Sequence, residues 1–312
     1  MLRFFVLIVI LSVGALLPVS ARAGLVCEAN IASSLNFGNI SVRDGRREQT
    51  SGPVTISCFG GTPGTVVQAC VTIGAGSGGA GPGQSPRYMI SDGTASLQYQ
   101  LTAQNGASSG GVTWDMVEHT ITLNADGSAM IAPTLYAEVT SIGALATAGT
   151  YSSRFEAGSD VQFSYGENGC DHSGGASAFT VGAVVTTSCA VDVSSMDFGV
   201  IDTAIADPVH NTASINVSCT NGSAYNIGIG SGLQPANAGP TGRRMANGAN
   251  LLAYGLYHDR SRTSDWGDSP ATIAAGTGTG GDQTLTVFGS IFGNQSASIG
   301  TYSDTVVVTV SY

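Results

Sequence analysis

Six cysteines are the residues of this sequence whose chemistry is easiest to infer from their spacing. Cys27 and Cys58 are 31 residues apart, and Cys189 and Cys219 are 30 residues apart. Because nearly the same spacing recurs in the two halves of the chain, we expect each of these pairs to form a disulfide. Such a bridge would tie the first strand of each half to the second.

Cys70 and Cys170 have no counterparts in the second half of the chain. By elimination we expect them to pair with each other, although the sequence alone leaves other connectivities open. Cys170-Asp171-His172 could also suggest a metal or thiol site. A disulfide cysteine is the stronger interpretation for a chain that carries an export signal.

No other pattern in the sequence predicts catalysis or a cofactor. The histidines and cysteines show neither H-E-x-x-H nor C-x-x-C spacing, and there is no G-x-S-x-G nucleophile elbow. The segment 74–79 matches G-x-G-x-x-G, but a dinucleotide site needs a strand, a turn and a helix, and no helix follows. We therefore predict a protein that is not an enzyme and that holds no cofactor and no metal ion.

The amino-terminal segment 1–23 has the composition of a signal peptide. Arg3 supplies the positive charge, Phe4–Leu17 is a short apolar stretch, and Ala21-Arg22-Ala23 offers small residues before a cleavage site. The apolar stretch is shorter than the ~20 residues of a membrane-spanning helix. We therefore expect an exported protein, in which disulfides can form.

Composition and charge restrict the partners of the mature chain. Charged residues make up only 10% of the sequence, and the formal net charge is −10. Nucleic acids and anionic lipid surfaces both attract basic segments, so we expect neither as a partner.

An internal repeat covers most of the mature sequence. Leu35-Asn36-Phe37-Gly38 corresponds to Met196-Asp197-Phe198-Gly199, and Arg87-Tyr88-Met89 is echoed by Arg244-Met245. The predicted strands are short, alternate between apolar and polar residues, and recur roughly every 8–12 residues. Such strands, joined by glycine-rich turns, are typical of a β-sandwich. We therefore predict two tandem β-sandwiches, domain one at 24–186 and domain two at 187–312.

The two halves differ at their last strands. After Tyr165 the first half continues to Phe179–Val185, another alternating strand, whereas the second half ends at Tyr312. Apolar residues near that end would border an uncovered sheet edge, which folded proteins normally avoid. We predict that domain two lacks its last strand and keeps a strand-acceptor groove that includes Val306, Val308, Val310 and Tyr312.

The second half also resembles the spore coat protein U domain family. The resemblance is carried by ordered motifs, namely Cys189, Asp197-Phe198-Gly199, Val217-Ser218-Cys219, Arg244-Met245, Tyr254-Gly255-Leu256-Tyr257, Asp265-Trp266-Gly267, Val287-Phe288-Gly289 and Gly300-Thr301-Tyr302-Ser303-Asp304-Thr305. Domain one matches more loosely, at its cysteine pair and its Gly-Thr-Tyr-Ser segment. This family provides the secreted pilins of archaic chaperone–usher pili.

The resemblance implies an all-β protein of two tandem immunoglobulin-like sandwiches, the second of which is completed by a partner's strand. The implied partners are a periplasmic pilus chaperone, an outer-membrane usher and an adjacent pilin subunit that donates the strand. Only three residues would precede Cys27 after cleavage, too few to donate a strand in turn. The chain therefore resembles a tip adhesin at the cell surface, which would attach to abiotic or host surfaces and support biofilm formation. The alternative is a secreted coat or matrix protein that needs no chaperone or usher.

Adhesion is expected in domain one, at the end farthest from the 186–188 join. Strand parity places three connections there, Gly60–Thr65, Ala103–Val117 and Glu167–Ser177. The longest connection carries the candidate surface residues Val112, Trp114, Met116 and Val117. For Trp114 two interpretations stay open, an exposed binding residue and a buried equivalent of Trp266.

Overall fold

The computed structural model describes residues 24–41, 48–92, 95–106, 112–142, 146–237 and 239–312. The signal peptide predicted at 1–23 lies outside these ranges. Within them the chain is almost entirely β-strand, with short 3₁₀ turns at Pro82–Gln84 and Pro240–Gly242. None of the described helices is long and apolar enough to cross a membrane.

The first half of the chain forms a sandwich around one continuous core of buried residues. Its strands are β1 (Val26–Ile31), β2 (Ser34–Ser41), β3 (Gln49–Phe59), β4 (Val66–Ile73), β5 (Arg87–Ile90), β6 (Ser96–Thr102), β7 (Met116–Thr122), β8 (Ala129–Ile131), β9 (Thr134–Ile142), β10 (Gly149–Phe155), β11 (Val161–Gly166), β12 (His172–Ala176) and β13 (Phe179–Thr186). They are hydrogen-bonded in the order β2-β13-β10-β5-β6-β9-β3-β1-β12-β11-β4-β7, and β8 also pairs with β3. The long strand β3 joins the two layers, because residues 49–53 pair with β9 and residues 54–59 pair with β1.

A traverse is one passage of the chain from one end of the sandwich to the other. Several traverses of domain one consist of two consecutive strands, one in each layer. In the last traverse β12 lies between β1 and β11, and β13 lies between β2 and β10. In an earlier traverse β6 pairs with β9 in one layer, and β7 pairs with β4 in the other. The segment from Ala103 to Asp115 therefore connects two halves of one traverse instead of two ends of the sandwich.

This arrangement removes Ala103–Val117 from the predicted cluster of three connections. Met116 lies opposite Thr72, near the carboxyl end of β4, whereas Gly60–Thr65 precedes the amino end of that strand. The turn that does reach Gly60–Thr65 is the one after β7, where the Gly61 amide donates to the Gly127 carbonyl at 3.2 Å. The predicted connection Glu167–Ser177 does begin at the amino end of β4, because Gly166 pairs with Gln68. It is partly strand, since it contains β12.

The second half of the chain forms a separate core. Its strands are β14 (Cys189–Val193), β15 (Ala204–Ile205), β16 (Val209–Cys219), β17 (Ala224–Ile229), β18 (Arg244–Asn247), β19 (Asn250–Tyr257), β20 (Ala274–Thr277), β21 (Asp282–Ile291), β22 (Gln295–Ser296) and β23 (Val308–Ser311). One sheet has the order β14-β16-β21-β19-β18, another has the order β20-β17-β23, and β15 pairs with β22. We keep the names domain one and domain two for the units around these two cores, while the boundary at 186/187 stays a prediction.

The cysteine pairing expected from the spacing is confirmed. Disulfides join Cys27 to Cys58, Cys189 to Cys219, and Cys70 to Cys170. The first two link the opening strand of each domain to its neighbour, since Cys27 is in register with Cys58 and Cys189 with Cys219. The third attaches the segment after β11 to β4.

A buried arginine and a buried tryptophan recur in the two domains. Trp114 has no exposed area, and its indole N–H donates to the Val71 carbonyl at 3.2 Å. Trp266 donates in the same way to the Ile227 carbonyl at 3.0 Å. Trp114 is therefore the structural equivalent of Trp266, and the interpretation of Trp114 as an exposed binding residue is wrong.

The two arginines hold the backbone around these tryptophans. The Arg87 guanidinium donates to the carbonyls of Ile73, Gly74, Gln84 and Trp114. Arg243 donates to the carbonyls of Ile229, Gly230, Pro240 and Trp266. The equivalent of Arg87 is thus Arg243 and not Arg244, which binds the Gln234 and Pro235 carbonyls nearer the surface.

Candidate strand-acceptor groove in domain two

In domain one, β13 fills the space between β2 and β10. It runs parallel to β2 and antiparallel to β10, with Val181 opposite both Leu35 and Ser153. The inward side chains Phe179, Val181, Ala183 and Val185 are all buried. Phe179 also stacks on Phe155, with ring centroids 4.4 Å apart. This strand therefore closes the core of domain one.

Domain two has a groove at the corresponding place. Its walls are the 194–200 segment, which corresponds to β2, and the 300–306 segment, which corresponds to β10; neither forms a strand. The groove has a volume of about 570 Å³, and no strand of the described chain lies in it. Its apolar and aromatic lining residues are Val193, Met196, Phe198, Ala213, Ile215, Ile229, Met245, Tyr254, Leu256, Val287, Tyr302, Val306 and Val308.

The walls of the groove expose side chains whose counterparts in domain one are buried. Tyr151 and Phe155 of β10 have no exposed area, whereas Tyr302 and Val306 at the equivalent positions are only half-buried. The same contrast holds in β14, where Val193 is 44% exposed. Apolar surface that a complete sandwich would bury thus remains open to solvent, which favours occupation by another strand.

Polar contacts, including a bridge to β18, hold the 300–306 wall in place. Ser303 exchanges two backbone hydrogen bonds with Ala246, at 2.8 and 3.1 Å. The Asp304 carboxylate accepts hydrogen bonds from the Tyr254 hydroxyl at 2.6 Å and from the Leu233 amide at 2.8 Å. Burial raises the pKa of Tyr254, and the hydrogen bond to Asp304 raises it further. These contacts form one side of the groove before any partner arrives.

The residues predicted to form the groove lie in two different environments. Val306 and Val308 line it. Val310 instead packs against the core of domain two from β23, opposite Ile227 of β17. Tyr312 is 61% exposed and lies outside the lining, so its inclusion is corrected. The alternating apolar residues of 306–312 correctly indicated which face of the segment is apolar. They could not show how far along the segment the uncovered groove extends.

Sequence reasoning missed the opposite wall of the groove. Met196 and Phe198 belong to the repeated motif after the first cysteine of each domain, and both line the groove. Their counterparts Leu35 and Phe37 are buried in β2, the strand that pairs with β13 in domain one. The repeat contained this signal, because a residue that contacts β13 in domain one must border the open space in domain two.

The candidate surface residues of domain one differ in their exposure to solvent. Val112 is 57% exposed and Met116 is 65% exposed, and both lie at the segment that joins β6 to β7. Val117 is partly buried against the core, and Trp114 is fully buried. Of these four candidates, Val112 and Met116 are therefore the two whose side chains are exposed for contact with a surface.

Among the described residues, no group of three or more His, Cys, Asp or Glu side chains could hold a metal ion. Apart from Asp304 and hydroxyl side chains, the lining of the groove is apolar. The site is suited to contact with a polypeptide strand, through backbone edges and apolar side chains.

Two immunoglobulin-like β-sandwiches define the class of this protein, and in the second no described strand fills the place that β13 occupies in the first. The chain belongs to the Spore Coat Protein U domain family, which matches residues 14–157 and 176–309. Protein U of Myxococcus xanthus is 34% identical over an alignment of 143 positions, and the match covers 42% of this chain and 79% of the relative.

Comparison with solved structures finds pilus subunits. One is the CsuC–CsuE chaperone–tip adhesion subunit pre-assembly complex from archaic chaperone–usher Csu pili of Acinetobacter baumannii. The TM-score is 0.52 at 16% identity, with 90% of this chain and 100% of that chain covered. Another is the CupB6 tip adhesin from Pseudomonas aeruginosa, with a TM-score of 0.37 at 12% identity over 92% of this chain and 93% of that chain. At 16% identity the first similarity shows the fold alone.

Proposed function

We propose that the chain is the tip adhesin of an archaic chaperone–usher pilus. Its domain two would be joined to the pilus by a strand from the adjacent pilin subunit. The observation that carries the proposal is the groove between 194–200 and 300–306, at the place that β13 fills in domain one. Membership of the Spore Coat Protein U domain family supports it.

Addition of a strand suits both the backbone and the side chains of this groove. The 194–200 and 300–306 walls have few backbone hydrogen bonds of their own, so an extended segment could pair with both edges. Its alternate side chains would cover the half-buried Met196, Tyr302 and Val306. Edge pairing provides affinity and the side-chain positions provide specificity.

The proposed assembly route follows from an exposed apolar groove. Such a surface invites aggregation, so a periplasmic chaperone would cover it after export and an outer-membrane usher would exchange the chaperone for the pilin strand. Domain one, whose last strand is in place, would then face outward at the pilus tip. Attachment to abiotic or host surfaces and biofilm formation are the roles we propose for it.

The test is to provide domain two with a strand of its own. A copy of residues 177–187, which include β13, is attached behind Tyr312 by a flexible Gly/Ser linker in the otherwise mature chain. We expect a higher melting temperature for domain two and less aggregation, because the appended strand buries the groove. The matched control carries the same tail with Phe179, Val181 and Val185 changed to Ser. Equal melting temperatures of the two extended chains would count against the groove as a strand acceptor.

A secreted coat or matrix role is the second candidate function. Similarity to Protein U and the family's association with spore coats favour it. In that case the unmodified chain, purified without a chaperone, would stay monomeric and would show a cooperative transition for domain two. Dependence of its solubility on a co-expressed pilus chaperone would favour the pilus role instead.

A further inference from the structure

One wall position of the groove differs in charge from its counterpart in domain one. Ser153 of β10 lies directly opposite Val181 of β13. The repeated Gly-Thr-Tyr-Ser segments align Ser153 with Asp304, two residues after Tyr151 and Tyr302 respectively. A strand that enters domain two in the register of β13 would therefore place its Val181 equivalent opposite Asp304.

The contacts of Asp304 fix it as a hydrogen-bond acceptor in the groove wall. It accepts from the Tyr254 hydroxyl at 2.6 Å and from the amides of Leu233 and Thr305, each at 2.8 Å. An ionised carboxylate is acceptor-only, so these contacts match it in the charged form. In domain one the Ser153 hydroxyl accepts from the Gly78 amide at 3.2 Å, a neutral version of the same wall contact.

No cation among the described residues forms an ion pair with Asp304. The groove lining contains neither Lys nor Arg. The nearby Arg243 guanidinium donates to the carbonyls of Ile229, Gly230, Pro240 and Trp266, and it attracts Asp304 only at longer range, without an ion pair. The negative charge of Asp304 therefore acts on whatever side chain the entering strand places opposite it.

Strand pairing makes this charge selective. Directly opposite residues of an antiparallel pair have their Cβ atoms only about 4.5–5.5 Å apart, and like charges at such positions destabilise the pair. The strand also displaces water from the groove, which lowers the local dielectric and strengthens the repulsion. An acidic residue at this position would be penalised, whereas a basic residue would be attracted.

We propose that Asp304 is a specificity determinant of the groove, which accepts a donor strand with a neutral or basic residue opposite it and rejects one with an acidic residue there. The donor is an extended segment of a neighbouring polypeptide with apolar side chains at alternate positions, as in β13. Opposite Tyr302 it carries a small residue, because Tyr151 at the equivalent position lies opposite Ala183 in domain one. This inference rests on the proposed function and adds the chemistry of the partner.

The experiment uses the full mature chain and labelled peptides with the sequence of residues 177–187. The parent peptide has Val at position 181, and three variants carry V181Q, V181E or V181K. Affinities and dissociation rates are measured by fluorescence anisotropy at low and high salt. We expect V181E to bind about tenfold more weakly than the isosteric V181Q, and V181K to bind at least as well as V181Q. Added salt should reduce both differences.

The control protein is Asp304→Asn, which keeps the shape of the side chain and removes its charge. In this variant V181E and V181Q should bind with nearly equal affinity. If Asp304→Asn does not bind the parent peptide, Asp304→Ser replaces it, because that variant restores the side chain of domain one. Equal binding of V181E and V181Q to the unmodified chain overturns the proposed selectivity and leaves the strand-acceptor function intact. Failure of every peptide to bind argues instead against the strand-acceptor function itself.

Discussion

At the scale of single residues, Arg87 combines complete burial with full use of its donors. Its guanidinium binds the carbonyls of Ile73, Gly74, Gln84 and Trp114 and the side chain of Gln100. Burial lowers its pKa to about 10, which still leaves it protonated at neutral pH. The charge is tolerated because backbone oxygens satisfy it on several sides.

We expect Arg87→Ala to destabilise domain one by about 3–4 kcal/mol, because several buried carbonyls lose a charged donor at once. Urea unfolding of residues 24–186, followed by Trp114 fluorescence, measures the effect. Arg154→Ala is the matched control, since Arg154 is exposed and contacts only Glu156 by its side chain; its unfolding midpoint should stay close to that of the unmodified fragment. If the unfolding midpoint of Arg87→Ala equals that of Arg154→Ala, water molecules hydrogen-bond to the buried carbonyls in place of the arginine.

At the scale of elements, β13 accounts for the difference between the two domains. Fully burying a Val or Phe side chain contributes about 1.5–3 kcal/mol, and β13 buries Phe179, Val181 and Val185. A domain is stable by only about 5–15 kcal/mol, so loss of this strand removes a large part of the total.

We therefore expect residues 24–186 to melt cooperatively in isolation and residues 187–312 not to do so. A matched fragment, 24–178, lacks β13 and should behave like isolated domain two, with recovery when a peptide of residues 177–187 is added. Calorimetry of the three fragments, all produced under oxidising conditions, gives the comparison. A cooperative transition for 187–312 without any partner would show that domain two closes its own groove.

The elements also show which features the sequence could reveal. The disulfides and the closing strand β13 of domain one were predictable, because cysteine spacing and the apolar alternation of Phe179–Val185 are local signals. β12 was not, since His172–Ala176 is rich in Gly and Ser and has the composition of a loop. Its strand conformation comes from pairing with β1 and β11, which depends on residues far away in the sequence. The predicted position of the 103–115 segment was wrong for a related reason, because the argument from strand parity assumes that each traverse is one unbroken strand.

At the scale of the whole molecule, attachment depends on which apolar surface domain one presents. Val26 lies opposite Phe59 at the end of the β1–β3 pair, and Met130 lies opposite Ser57 on the other side of β3. All three apolar side chains are exposed, and Met130 is 68% exposed. This end patch of Val26, Phe59 and Met130 lies where Gly60–Thr65 begins, at the opposite end of the sandwich from the last residues of β13. The side pair of Val112 and Met116 lies near the carboxyl end of β4 instead.

We expect the end patch to dominate attachment to a hydrophobic surface, because contiguous apolar side chains at an exposed end can leave water together. The measurement uses the chain with the copy of residues 177–187 attached behind Tyr312. The double substitution Phe59→Ser and Met130→Ser should reduce its retention on polystyrene about tenfold, because each Å² of apolar area withdrawn from water contributes about 25 cal/mol. Val112→Ser with Met116→Ser is the matched control, since it removes two comparably exposed apolar side chains from the same domain. Melting temperatures of both double variants establish that domain one stays folded.

If the control loses retention and the end-patch variant keeps it, the binding surface lies at the β6–β7 connection. Equal retention of both variants with the unmodified chain would mean that attachment does not use the apolar surface of domain one.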